Sequence, residues 1–526
     1  MDPAPGGKVT YVSLSADDPV ANAAFDRAIE DVRGRLGQTR GLFIGGTWRE
    51  TPQTDASLSP ADTRVVVARV ASGAPDQVDE AVAAARAAFP AWSRTPWQER
   101  AARLEAAADL IRARRYELAA WMIFEMGKNR IEALGEIEET ADLITYYNEQ
   151  MRANDGYVRK MGKLVPTDDN TSVLRPYGVW AVISPWNFPY ALLGAPAAAA
   201  LLTGNTVVMK PSSETPLAGV LLAEIFAEAG LPPGTIACVT GGGRTVGDRL
   251  VHHPGVDGLT FTGSLEVGFR GIYQKFSTIY PKPCIVEMGG KNPAIVMDTA
   301  DLDKAAEGVF RSAFGMNGHK CSACSRLYVH EAVADGLLSR LEQKIERAVI
   351  GDPLAKQTFV GPLATRASYA DYQRFMEQAR GASGATVRAG GRVLTEGAFA
   401  NGYFVQSALI DGLPPDHELM REELFVPILA VQRVRTLQAA LTEANQTRFG
   451  LTAGFFSRRQ EEIDAFLDSI EAGVVYVNRA AGATTGAWPG VQPFGGWKGS
   501  GSTGKNIGGH YTLPLYLREQ SRTVCQ

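Results

Sequence analysis

Cysteine is scarce in this chain: five in 526 residues, scattered and odd in number. That excludes a disulfide framework as the source of stability and makes the cytoplasm the expected compartment. No dense run of lysine and arginine occurs, and the net charge is -4. A nucleic-acid surface needs a basic patch or stripe, so nucleic acid is not an expected partner. The longest apolar run, "YALLGAPAAAALLTG" at 190–204, is too short to cross a bilayer and is interrupted by glycine and proline. It reads as a buried helix. The first residues, "MDPAPGGKVTYVS", lack the basic start and apolar stretch of a signal peptide. Low-complexity linkers and long repeats are also missing.

What is present is an ordinary globular composition, 45% hydrophobic and 21% charged. The length exceeds what one hydrophobic core organises, so two or more domains are expected. Residues 18–36 predict an amphipathic helix capped by Asp18, with Phe25, Ile29, Val32 and Leu36 on one stripe. "GLFIGGTWRE" predicts a hairpin turning at Gly45-Gly46. A helix is expected from 75, with Val78, Val82, Ala85 and Phe89 on one face and Pro90 closing it. Helical character continues over 97–125 and 130–152, with Gly127 as a break. From Tyr177 the pattern alternates: "YGVWAVISP", "NTVVMKPSS", "GTIACVTGG", "VDGLTFTGS" and "PCIVEMGG" read as strands with helices between. A second alternation runs from 301 to 478. Short buried strands at this spacing predict open parallel sheets covered on both faces.

The loop "FGMNGHKCSACSR", 314–326, holds two cysteines three apart. A zinc site takes four ligands, commonly as two pairs, and no second CxxC exists. A thioredoxin-like couple sits at a helix start after a strand, whereas this loop precedes a strand. Two readings remain for each cysteine: a small buried hydrophobe, or a nucleophile. The polar, flexible approach through Gly315, Asn317, Gly318, His319 and Lys320 favours the nucleophile at Cys321. Cys324 fits the buried role. Glu287, at the end of "CIVEM", is by itself equally readable as an ordinary strand-end carboxylate.

Seven motifs then fall in order: "VISPWNFP" (182–189), "GNTVVMKPSSETP" (204–216), "FTGSLEVG" (261–268), "EMGGKNPAIV" (287–296), "GHKCSACSR" (318–326), "REELFVPIL" (421–429) and "QPFGG" (492–496). Together they resemble the NAD(P)-dependent aldehyde dehydrogenases from about residue 40 onward. The resemblance implies an α/β, aldehyde dehydrogenase-like fold with two open parallel-sheet domains and a β oligomerisation arm. The implied segments are an N-terminal extension (1–40), a dinucleotide-binding domain (41–162 and 177–293), a catalytic domain (294–490) and the arm (163–176 and 498–526). It implies Cys321 as the thiol nucleophile, Glu287 as general base, and Asn187 with the Cys321 backbone N–H as oxyanion donors. It implies a cofactor groove of Ile183, Pro185, Trp186, Lys210, Ser213, Gly263, Ser264, Gly268, Glu423 and Phe425. "TGSLEVG" is GxxxxG rather than the GxGxxG fingerprint, and gains weight only by joining a strand to a helix. No metal is expected. The partners implied are a small aldehyde substrate and further copies of the chain, as a homodimer or dimer-based oligomer without a membrane span.

A narrower resemblance is to the 1-pyrroline-5-carboxylate dehydrogenases, which oxidise L-glutamate γ-semialdehyde to L-glutamate in proline catabolism through a cysteine thiohemiacetal and thioester. Ser322 after the nucleophile, "VNRAAGATTGAWPGVQPFGG" (477–496) and "IEETADLITYYNEQM" (137–151) carry it. It implies a substrate site of Ser322, Gly486, Ala487, Glu136 and Phe188. The alternative is an aldehyde dehydrogenase for another small carboxylated or medium-chain aldehyde. NAD is the implied cofactor. NADP is also admitted, because Ser213 stands where the family often has a glutamate that repels a 2′-phosphate. The chain departs from the family pattern at His319 (usually glutamine), Met288 (leucine) and Val426 (glycine, expected to restrict the nicotinamide), and in the bulky pair Trp488-Pro489.

Overall fold

From Val179 onward, short strands of almost wholly buried residues alternate with helices, as buried parallel strands require. The computed structural model describes residue 10 and residues 18–480 and 487–525. Two seven-stranded sheets organise most of them. The first runs in the order Cys284–Glu287, Gly258–Thr262, Val179–Ile183, Thr206–Lys210, Ile236–Cys238, all parallel, and ends in the antiparallel hairpin Leu42–Ile44 and Thr47–Arg49. Successive strands run outward in one direction from Val179–Ile183. The chain then returns to add Gly258–Thr262 on its other side. The order therefore reverses between these two strands, and a ligand crevice opens at such a switch, beyond the strand C-termini.

The second sheet is built the same way. Its first strand in chain order, Asn292–Val296, is flanked by Cys324–His330 on one side and Thr452–Phe456 on the other. Ile428–Val434 and Ala408–Asp411 extend one wing, Val474–Val477 the other, and Thr386–Ala389 adds an antiparallel edge. A third, three-stranded sheet pairs Asp168–Pro176 with Val158–Lys160 and with Leu517–Cys525, in antiparallel register from Pro176↔Leu517 to Asp168↔Cys525. It leaves Leu164 97% exposed.

The helix Pro19–Arg33 is capped by Asp18, whose side chain accepts from Val20 N and Ala21 N. It packs Phe25, Ile29 and Val32 into the largest core, beside Trp121 and Tyr147. The apolar helix Ala191–Leu202 lies in the same core, buried on nearly all sides. Each large side chain so enclosed contributes about 1.5–3 kcal/mol. Among the described residues no helix is long and apolar enough to cross a membrane.

Three expectations needed correction. Pro90 does not close its helix, which runs Pro75–Trp92 with the proline in its last turn. Burial of Trp92, whose Nε1 donates to Leu201 O, draws the chain past the lost backbone donor. The helix Arg366–Gly381 was not expected, nor was the edge strand after it. The third and fourth connecting helices contain π-wound segments at Gly243–Gly247 and Glu266–Tyr273, which periodicity does not signal.

Candidate active site

The first sheet brings its C-terminal strand ends to one edge. Ile183 ends one strand and is followed by Pro185, Trp186, Asn187 and Phe188. Lys210 ends the next, Thr262 precedes Gly263 and Ser264, and Glu287 ends the last. Gly263 N donates to Glu287 O, and Gly268 N to Ser264 O, so the Gly263–Gly268 turn is tied to the strand carrying the carboxylate. Ser264 is exposed at the start of the following helical segment, and its Oγ accepts from Val267 N.

The second sheet supplies the cysteine. Met316, Asn317 and Gly318 all adopt left-handed φ (52°, 54° and 68°). Only glycine does so without strain, so the turn needs external holds. Met316 N donates to Glu132 Oε1 at 2.6 Å, and Asn317 Nδ2 donates to Gly361 O and Pro362 O. A β-carbon at Gly318 would meet Val426 O at 2.7 Å. Beyond the turn, Asn292 Nδ2 donates to both Cys321 O (2.7 Å) and Ala323 O (2.9 Å), while its Oδ1 accepts from Thr452 N. One side chain thus joins three segments of the second sheet behind the nucleophile.

Cys321 is half-buried on the wall of a cavity of about 190 Å³ that also receives Phe188, Ser322 and Ala487. Glu132, Lys320, Trp488 and Phe494 line it too. Cys324 lies in the core with Phe314 and Leu327, so the two cysteines occupy different environments. Burial pushes the Cys321 thiol up to about 12, followed by repulsion from Glu423 and Glu287, against donors from the Ser322 and Cys321 amides. Burial also holds the Glu287 carboxyl well above the ordinary carboxylate range, with Gly496 N donating to it at 3.2 Å. Glu423 is pushed up to about 7 by burial although Gly290 N donates to it at 2.9 Å. The glycine at 289 makes this approach possible, since a β-carbon there would lie 2.1 Å from Glu423 Oε2.

Asn187 is buried, and its Nδ2 donates to His319 O at 3.0 Å. An amide nitrogen has two hydrogens, which leaves one for an oxyanion. Trp186, His319 and Phe425 form an aromatic cluster, with Trp186 edge-on to the other two and His319 stacked on Phe425 at 6.0 Å. Phe425 holds φ 57° to present its ring there. Burial pushes His319 down to about 3, so it is neutral.

A dinucleotide fits the edge on this chain's own chemistry. Lys210 is buried, its ammonium donates only to Pro211 O among the described bonds, and burial lowers it to about 8. Such an amine suits hydroxyl acceptors of a sugar. Ser213 is exposed, its Oγ donates to Gly241 O, and it carries no charge to oppose a phosphate.

One expected residue lies elsewhere, one lies outside the described residues, and two that were not expected come forward. Glu136 does not line the cavity. It is fully buried, accepts from Tyr190 N and Ala191 N, and pairs with Lys128. Satisfying the start of the Ala191–Leu202 helix is what draws it inward. The acidic residues that line the cavity are Glu132, one turn earlier and on the same face, and Glu139. Gly486 lies outside the described residues. Val426 packs in the second-sheet core with Leu419 and Ile428. Lys320 and Asn292 were visible inside the quoted motifs, but nothing in their spacing announced a role.

The chain matches the aldehyde dehydrogenase family profile over residues 48–521. It is 38% identical to a 1-pyrroline-5-carboxylate dehydrogenase of Geobacillus thermodenitrificans, over 96% of each chain. It is 37% identical to the 1-pyrroline-5-carboxylate dehydrogenase 2 of Bacillus subtilis, again over 96% of each. Among solved structures, a 1-pyrroline-5-carboxylate dehydrogenase from Thermus with bound NAD superposes with a TM-score of 0.92, at 36% identity over 97% of each chain.

Proposed function

The chain belongs to the aldehyde dehydrogenase family, and we propose that within it the protein oxidises L-glutamate γ-semialdehyde to L-glutamate with NAD. The observation that carries this reading is the cavity itself. Cys321, Ser322, Phe188 and Ala487 meet there, and Lys320 supplies a cation able to attract a carboxylated substrate. Lys320 is buried next to Glu132, and desolvation lowers it to about 8. Burial raises the Glu132 carboxyl while the Lys320 charge draws it back down, so the pair offers a hydrogen-bond acceptor and a donor to a substrate bearing both an amine and a carboxylate.

The residues divide the chemistry. The Cys321 sulfur gives up its proton to solvent water and bonds to the aldehyde carbon, as the carbonyl π bond breaks and its oxygen becomes an oxyanion. The second Asn187 hydrogen and the Cys321 N–H hold that charge. When bound, the nicotinamide ring supplies the two-electron acceptor for the hydride that leaves the same carbon. Lys210, Glu423 and Phe425 would hold the dinucleotide. The acyl group is then a thioester on Cys321. Glu287, once ionised, takes a proton from water, whose oxygen bonds to the acyl carbon as the C–S bond breaks and sulfur leaves. Burial makes Glu287 a stronger base than an exposed carboxylate.

The three-stranded sheet, with Leu164 and Val165 exposed, is read as the subunit-pairing arm. Light scattering on the purified protein should give a dimer or a multiple of one, and a monomer would remove that role. Steady-state kcat/KM for glutamate semialdehyde should exceed those for propanal, succinate semialdehyde and benzaldehyde. Preference for any of these three sinks the substrate assignment.

A further inference from the structure

We propose that Trp488 is a specificity-determining residue: its indole, clamped by Asp142, forms a fixed wall of the cavity and sets the longest aldehyde that reaches Cys321. The proposal rests on the aldehyde-oxidising role of the cavity and not on which aldehyde is preferred. Trp488 lines the same cavity as Cys321 and is 7% exposed. Its Nε1 donates to Asp142 Oδ2 at 2.9 Å, and Asp142 Oδ1 accepts from Arg112 Nη2 at 2.9 Å. The indole is thereby tied to the helix Arg130–Ala153 that forms another side of the cavity through Leu143.

The backbone is fixed as well. Trp488 N donates to Gln492 O, and Val491 N donates back to Trp488 O. Gly490 has φ 71°, and a β-carbon there would meet the Tyr146 ring at 2.7 Å. A wall held by a side-chain bond, a tight turn and a close packing contact does not swing aside for a longer substrate. The neighbouring walls, Leu192, Phe494 and Ile507, are apolar. Once the indole is gone, these walls offer apolar contact to a longer alkyl chain, while Asp142 keeps its pairing with Arg112. Removing so large a side chain from a well-packed wall leaves space that the surroundings refill only in part.

The test is kcat/KM of the full-length enzyme for propanal, hexanal and decanal. Because each buried methylene is worth roughly fourfold in binding, Trp488→Ala should raise the decanal-to-propanal ratio by about 10- to 100-fold. Trp488→Phe keeps most of the bulk but loses the bond to Asp142, and should raise the ratio less than Trp488→Ala does. Asp142→Ala, which frees the indole, should fall between, and Asp142→Asn, which keeps an acceptor, should restore the wild-type ratio. Should Trp488→Ala not fold, Trp488→Leu takes its place. An unchanged ratio in folded Trp488→Ala or Trp488→Leu overturns the proposal, as does a wild-type enzyme that already prefers decanal to propanal. Poor wild-type turnover of glutamate semialdehyde would sink that substrate and leave the length ratio standing. A flat ratio would sink Trp488 even where glutamate semialdehyde is the best substrate.

Discussion

The first sheet turns the C-terminal ends of its strands toward the site, whereas the second turns its N-terminal ends. Asn187, Gly263 and Glu287 follow or end strands of the first. Asn292 and Thr452 begin strands of the second, and Cys321, Glu423 and Phe425 precede them. At the first edge, strand position alone delivers functional groups, because the chain order reverses there and a crevice opens. At the second edge the nucleophile sits in a loop with three left-handed residues, and strand position is not enough. Side-chain bonds from Asn292, Glu132 and Asn317 do the holding. The same architecture therefore places one half of the chemistry by topology and the other half by local hydrogen bonding.

The largest effect separates the two edges outright. Cys321→Ala removes the only sulfur in the cavity among the described residues apart from Met316, and aldehyde oxidation should drop by about 10⁴-fold or more while the melting temperature stays within a few degrees. Retained oxidation would refute the mechanism. Glu287→Gln should slow thioester hydrolysis by about 10²–10⁴-fold. It should leave a stoichiometric burst of reduced cofactor, because acylation precedes the step it serves. The pH dependence follows from direction. A carboxyl held above its ordinary range is protonated and inactive as a base at low pH, so wild-type kcat rises with pH through that raised value. The glutamine variant should lose this limb, and a variant that keeps it would transfer the base role elsewhere.

Next comes the hold on the loop. Asn292→Ala leaves the Cys321 and Ala323 carbonyls and the Thr452 amide without their partner. Misplacing a reacting group by about 1 Å costs roughly 10²-fold in rate, and the lost bonds cost about 1–3 kcal/mol of stability. Both kcat and the thermal midpoint should fall, with KM for cofactor changing less. A variant with wild-type kcat would show that the loop holds itself.

This contrast also explains what was legible in the sequence. The alternating strands, the Asp18 cap, the Gly45-Gly46 hairpin and the carboxylate at the end of "CIVEM" follow from period and turn chemistry. The lining of the cavity does not. Glu132 and Glu136 are one helical turn apart on one face, so periodicity cannot rank them. Depth decides: Glu136 meets Lys128 and the start of a buried helix, and Glu132 faces the cavity. The two should break differently. Glu136→Ala strands the Lys128 ammonium in the core and should cost about 3–5 kcal/mol of stability. Glu132→Gln, which keeps the oxygen that Met316 N needs, should instead raise the KM for an amino-acid aldehyde by roughly tenfold with little change in melting. Equal melting losses in both variants would erase the distinction.

The smallest expected effect lies at the first edge, just past the strand end that carries Lys210. Ser213 is exposed, makes one bond to Gly241 O, and brings no charge. Glu214 beside it carries one, but burial raises its pKa, which disfavours the anion. Ser213→Glu adds a carboxylate in a solvated setting, where a repulsion of about 1 kcal/mol against a 2′-phosphate is the expected scale. That is roughly a five- to tenfold fall in kcat/KM for NADP with NAD almost unchanged. Direct titration of NADP onto the Cys321→Ala protein reads the same difference without turnover. If NADP affinity does not change, residue 213 does not face the ribose, and the cofactor must lie differently along this edge than the strand topology implies.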